Sequence, residues 1–258
     1  MAHIVDYDDY FEEYMGKVYS RIIKSNNLNN LNSVVEFAPG FRYKIAYALR
    51  NVNFNGTIYI VDSNESVLNF VGKKYKEILK DAKVVTIQSD LIESVSMLPN
   101  NVDLFLANHC VDDMIVSKYL EEKKLEDAFN NTSDSKGILL NCWEELKEND
   151  RILSFLHKKV YEQIMTFFLK INPKFIIMSQ YKSAYYMKQK NYIEELSKEV
   201  FDRLKKHIDT DVLKLKSALD FDFEDFDAAL NEGFSLKENI QYYDNWIAGR
   251  IRDLGDEY

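Results

Sequence analysis

Residues 33–62 set the tightest limit on how this chain can fold. An apolar run ending in an acid (Val34, Val35, Glu36) leads into a turn with a single glycine (Phe37, Ala38, Pro39, Gly40). A helix is expected from Phe41 to Leu49, then a second apolar run, Thr57 to Val61, that also ends in an acid, Asp62. A strand that runs through a turn into a helix N-terminus presents backbone N–H groups and a positive dipole to a nucleotide-like ligand. A carboxylate at the tip of the second strand can accept both hydroxyls of a ribose.

The pattern then repeats. Lys83 to Gln88 reads as a third strand closed by Ser89, Asp90 and Leu91, and Val102 to Ala107 as a fourth closed by Asn108, His109 and Cys110. Apolar runs of this length, separated by helical stretches, fit strands buried on both faces of a parallel sheet. Four polar clusters therefore fall at strand ends that point one way, where open α/β sheets bind their ligands. The expected fold is α/β, a Rossmann-like mostly parallel sheet flanked by helices.

On these residues the chain resembles the class I S-adenosylmethionine-dependent methyltransferases. The family's first motif stands here as Glu36-Phe37-Ala38-Pro39-Gly40-Phe41-Arg42, its ribose-binding acid matches Asp62 with Ser63 beside it, and its adenine-edge acid matches Asp90 with Leu91. The fourth motif matches Asn108-His109. The resemblance covers roughly residues 30–145; Asp62 follows Glu36 by 26 positions and Asp90 follows Asp62 by 28. It implies S-adenosylmethionine as cofactor, held by Glu36, Ala38, Gly40, Arg42, Asp62, Ser63, Asp90, Leu91 and Asn108. The family's turn usually carries two or three glycines, whereas Ala38 and Arg42 occupy the outer positions here. Arg42 can then form a two-pronged bond to the methionine carboxylate or lie on an exposed helix face.

The 258 residues suit one α/β domain with additions. A net charge of −9 argues against a sequence-independent grip on nucleic acid, which draws on a basic face. Two cysteines and four scattered histidines supply neither a disulfide framework nor a metal cluster. The acidic, aromatic start does not read as a signal peptide, and no run of 18 apolar residues is present. A cytoplasmic protein without membrane or nucleic-acid partners is expected, acting on a small molecule; its oligomeric state is not legible.

Residues 6–25 read as an amphipathic helix, expected within an N-terminal lid segment (residues 1–30) whose Tyr10 or Tyr14 closes over the cofactor or packs on the domain edge. The cofactor domain is expected over 31–218 and a helical C-terminal extension over 219–258. Within the former, Gly137 to Trp143 reads as a fifth strand, Arg151 to Leu169 as a helix ending before Pro173, and Lys174 to Met178 as a sixth strand closed by Ser179, Gln180 and Tyr181. Tyr192 to His207 reads as a further helix and Val212 to Leu215 as a last strand.

Asn108 is expected near the reacting carbon, or as a helix cap. His109 can serve as a base or turn into the helix layer, and Ser179 completes the catalytic candidates. Asp112 can hold an amine-bearing substrate or complement a helix dipole. Trp143 and Tyr181 are expected at the mouth, where an aromatic wall suits a sulfonium, or Trp143 caps the core. The activity implied is methyl transfer. Transfer or cyclisation of the cofactor's aminocarboxypropyl arm, and a non-catalytic binding protein on the same fold, are the alternatives. A nicotinamide-dependent oxidoreductase would want more glycines in the first turn.

Overall fold

The structure, a computed structural model, describes residues 9–28, 30–123, 135–180, 192–220 and 245–252. Seven strands form one sheet: β1 (Ser33–Phe37), β2 (Thr57–Asp62), β3 (Lys83–Gln88), β4 (Leu104–Asn108), β5 (Ile176–Ser179), β6 (Ile208–Thr210) and β7 (Trp246–Ile251). Their order is β3-β2-β1-β4-β5-β7-β6. The first five run parallel, and β7 lies antiparallel between β5 and β6. This is the Rossmann-like sheet that the motifs imply, with its switch point at β1, which pairs β2 on one side and β4 on the other.

Alternate residues of each strand divide the core in two. Val34, Ile58, Leu104, Ile177 and Ala248 join one apolar cluster with helices α1 (Asp9–Ser25), α2 (Lys44–Arg50), α3 (Glu65–Ile78) and α8 (Val212–Leu219). Val35, Val61, Phe105, Ile176 and Ile247 join the other. That cluster is covered by α4 (Val111–Lys123), α5 (Ser135–Lys147), α6 (Asp150–Ile171) and α7 (Tyr192–Lys205). The segment read as an N-terminal lid is thus in part a core helix: Met15, Val18, Tyr19, Ile22 and Ile23 of α1 are completely buried. Among the described residues no helix is long and apolar enough to cross a membrane.

Three expectations are corrected. Gly137 to Trp143 is not a strand but part of α5, where Cys142, Trp143 and Leu146 are buried at helical spacing; a short apolar run suits either element, and neighbours decide. Val212 to Leu215 opens α8 instead of forming a strand, because Asp211 accepts the Lys214 N–H at 3.0 Å as an N-cap and Leu215, Ala218 and Leu219 turn inward together. The expected sixth strand is therefore the fifth, and Ile208–Thr210 precedes the helix. Finally, the tail expected to be helical contributes β7. Trp246, Ile247 and Ala248 are buried on alternating sides, so the extension and the cofactor domain share one sheet. The remainder of the tail, 221–244 and 253–258, lies outside the described residues.

Candidate functional site

The β1–α2 turn is held in a conformation unusual for L-residues. Both Ala38 (φ 49°) and Gly40 (φ 57°) lie in the left-handed region. The Ala38 N–H donates to the Val61 carbonyl at 2.8 Å, which ties the turn to the end of β2. Gly40 is needed for its backbone angle, and a Cβ built on it would meet no atom within 4 Å. The turn therefore opens onto space at the switch point.

Asp62 stands at the tip of β2, mostly buried. Its Oδ1 accepts the Asn64 N–H at 2.9 Å, and the Gly40 N–H also bonds the carboxylate. A carboxylate has about four acceptor sites, so two remain for the hydroxyls of a ribose. Ser63 beside it is exposed. At the tip of β3, Asp90 is exposed and its Oδ1 accepts the Glu93 N–H at 2.8 Å, starting a single 3-10 turn, while Leu91 packs into the core. Between these two acids the Ser89 hydroxyl is buried with no hydrogen-bond partner among the described residues. An open turn, an acid with acceptor capacity and an orphaned buried hydroxyl fit a nucleoside-bearing cofactor.

Glu36 and Arg42 have other attachments. Glu36 turns into the α2–α3 side of the sheet, is buried, and accepts a very short hydrogen bond from the Tyr75 hydroxyl of α3. Burial pushes its carboxyl up to about 8 from 4.5, against the opposing influences of Tyr75 and Lys44. Arg42 Nη1 bonds Glu12 Oε1 at 3.1 Å, and the guanidinium also lies over the Phe11 ring, 5.6 Å from its centroid. Glu12 is wholly buried, and its second oxygen accepts the Tyr43 N–H at 3.0 Å, just before α2 begins. Helix α1 thus grips the far end of the turn. The pairing sets Arg42 against α1, where the motif alone pointed it to a cofactor carboxylate or to solvent.

The Glu36 environment carries a pH dependence. The folded carboxyl keeps its proton up to about 8 and the unfolded one only to 4.5, so the native state binds more protons between those values and stability falls as pH rises through that window. Glu36→Gln has no proton to lose. Urea unfolding should therefore show the variant gaining on the wild type between about pH 5 and about pH 8. A difference that stays constant over that range would mean that Glu36 is already ionised in the fold.

At the ends of β4 and β5 the same face carries a second group. Tyr19 of α1 donates to Asn108 Oδ1 at 2.7 Å, the Ser179 hydroxyl reaches the same oxygen at 2.7 Å, and the two hydroxyls stand 2.6 Å apart. Tyr19 also packs on Trp246, with ring centroids 5.3 Å apart. On the opposite face His109 (φ 58°), Gln180 and Asp112 form a polar cluster at the base of α4. Asp112 is buried, which raises its carboxyl above the usual range, while Gln180 opposes the shift by donating to it. The structure thus brings Asn108, Ser179, His109 and Asp112 to neighbouring strand ends. Asp112 lies in the first turn of α4, where its carboxylate takes backbone N–H groups of Asp112 and Asp113 as the dipole role expects, and it also accepts from Gln180.

For two aromatics the packing alternative holds. Trp143 is not at the mouth: it is buried on α5, in the cluster beneath α4 and α6. Tyr14 does not cover a ligand but is buried in the α1–α2 core. Tyr181 and the Tyr10 side chain lie outside the described residues. Sequence reasoning did not single out Glu12, Tyr19, Lys44 or Ser89. Charges as deeply buried as Glu12 and Lys44, at 0% and 1% exposure, are the signal, but it is visible only after folding.

No protein-family model and no curated protein matches the chain. Solved structures similar to it include the plantazolicin methyltransferase BpumL in complex with SAH, at 11% identity over 95% of this chain and 88% of that one, with a TM-score of 0.42. NSun6 from Pyrococcus horikoshii with SFG is 12% identical over 82% of this chain, with a TM-score of 0.43, and the chain spans 47% of its length. The fibrillarin/Nop5p complex is 9% identical over 74% of this chain and 72% of that one, with a TM-score of 0.38. Likeness at such identities concerns fold alone.

Proposed function

We propose that the chain is an S-adenosylmethionine-dependent transferase, a methyltransferase acting on a small molecule. The observation that carries the reading is the β1–α2 turn, open above Gly40 and bonded to Asp62, with the Ser89 hydroxyl beside it unpartnered among the described residues. Asp62 would hold the ribose, the turn backbone from Ala38 to Gly40 the chain that follows it, and Ser63, Asp90 and Leu91 the base edge. Bound there, the cofactor supplies a carbon activated by a positive sulfur.

The protein's own part is alignment. Asn108 and Ser179, locked by Tyr19 at the ends of β4 and β5, form a rigid polar wall against which an acceptor can be placed. Chemistry of this kind needs no nucleophilic triad. Handling of the aminocarboxypropyl arm is the second reading, supported by the turn Ala38-Pro39-Gly40-Phe41-Arg42, where Ala38 and Arg42 stand at positions that usually carry glycine.

The test is incubation of the protein with labelled cofactor and a metabolite extract, with S-adenosylhomocysteine binding followed by calorimetry. S-Adenosylhomocysteine as product supports methyl transfer, whereas methylthioadenosine moves the reading to the arm. Tight binding with neither product above background would make the chain a binding protein, and no binding would overturn the reading altogether.

A further inference from the structure

The two edges of the sheet differ. β6, at one edge, is three residues long, and a short edge offers little for another chain to pair with. β3, at the other, runs six residues in unbroken register with β2, with no proline and no bulge, and only its Ile87 is buried. At its start the Lys83 N–H donates to the Gly56 carbonyl at 2.9 Å, and just past its end the Ser89 N–H donates to the Asp62 carbonyl at 3.1 Å. Alternation along the strand then turns the backbone groups of Lys83, Val85, Ile87 and Ser89 toward β2, and those of Val84, Thr86 and Gln88 away from it. No described residue bonds these outward groups. The positions flanking them are already engaged: the Ala82 N–H donates to the Leu79 carbonyl at 3.3 Å, and the Asp90 carbonyl accepts the Ser94 N–H at 3.1 Å. The open stretch is therefore centred on Thr86.

An antiparallel neighbour exchanges both N–H···O bonds at each outward-facing residue. Two copies related by a two-fold axis at Thr86 match Thr86 with Thr86 and Val84 with Gln88, which uses every open group and no engaged one. An axis at Val85 or Ile87 would draw in Ala82 or Asp90. The side chains agree with this register: exposed Thr86 faces Thr86, a favourable cross-strand pair, and half-buried Val85 meets Ile87. Charge supplies the direction. Exposed Lys80, Asp81 and Lys83 leave one net positive charge at the start of β3, and exposed Asp90 and Glu93 place two negative charges past its end. An antiparallel neighbour sets unlike ends together at both ends of the ladder, whereas a parallel one would set like against like. On the α3 side a groove of about 380 Å³, lined in part by Gly72, Lys76 and Thr86, leaves room for the opposing Gln88. We propose that β3 is the docking edge for a second copy of this chain, the two sheets joining antiparallel through Thr86. This pairing is independent of the transferase reading.

Sedimentation of the full-length protein over a range of concentrations is expected to show a monomer–dimer equilibrium. Thr86→Pro deletes the N–H at the axis in both copies without breaking a bond to β2, and an outward position on an edge strand tolerates proline. Two hydrogen bonds are lost, so the dimer is expected to weaken at least about tenfold while the far-ultraviolet circular dichroism stays as in the wild type. Thr86→Lys leaves the backbone intact and sets like charges at the axis; it is expected to weaken the dimer several-fold and serves where the proline variant does not fold. Amide exchange of the wild type locates the contact, since the Val84, Thr86 and Gln88 N–H groups should exchange more slowly as concentration rises. A wild type that stays monomeric up to about 0.1 mM overturns the proposal. So does a dimer that Thr86→Lys, or a folded Thr86→Pro, leaves as tight as the wild type, and so does exchange at those three amides that ignores concentration.

Discussion

Asp62→Ala is expected to weaken S-adenosylhomocysteine binding by about 1.5–3 kcal/mol, the range for hydrogen bonds to a charged group, or roughly 10- to 150-fold in affinity. The carboxylate is mostly buried and already bonds the Asn64 and Gly40 N–H groups, so its position is set before any ligand arrives. The loss therefore includes the loosened turn as well as the missing acceptor. Asp62→Asn separates the two: it keeps one carbonyl acceptor for the turn and is expected to retain part of the affinity. Isothermal titration on folded variants checks this, and unchanged affinity in Asp62→Ala would remove Asp62 from the site.

Trp246→Ala is expected to destabilise the fold by about 3–5 kcal/mol, the usual cost of truncating a buried aromatic to alanine. Trp246 is 1% exposed, pairs with Ser179 across the antiparallel β5–β7 ladder and carries the Tyr19 ring on its face. The cavity would open directly beneath the Tyr19–Asn108–Ser179 contacts. Urea unfolding measures the stability. A loss below about 1 kcal/mol would mean that the site collapses readily around the missing ring, against the packing described.

Much of the sheet was legible because strands buried on both faces read as apolar runs closed by polar residues. Lys83–Gln88 is found where expected, but as an edge strand with only Ile87 buried, and Thr57–Asp62 is found with its terminal acid. The same rule misread Gly137 to Trp143, since a helix buried against α4 and α6 shows a short apolar run too. β7 was missed for a related reason: Trp246-Ile247-Ala248 is brief, and only the open edge of β5 makes it a strand. At the site, Gly40, Asp62 and Asp90 could be read because each closes a local element. Tyr19 and Glu12 could not, because their partners Asn108 and Tyr43 lie 89 and 31 positions away and nothing local marks the pairing. Gln180 was visible as a polar residue at a strand end, but its contacts with His109 and Asp112, 71 and 68 positions away, were not.

The placement of β7 has a consequence for synthesis on the ribosome. Residues 246–251 complete the sheet between β5 and β6, so β5 waits for a neighbour made 67 positions later, from Ser179 to Trp246. At usual elongation speeds of about 5–20 residues per second that interval is roughly 3–13 s. Throughout it the nascent chain exposes an unpaired edge of Ile176-Ile177-Met178, an apolar template for pairing with other chains. Holding back translation near the β7 codons should therefore increase aggregation, and a chaperone that shields strand edges should relieve it.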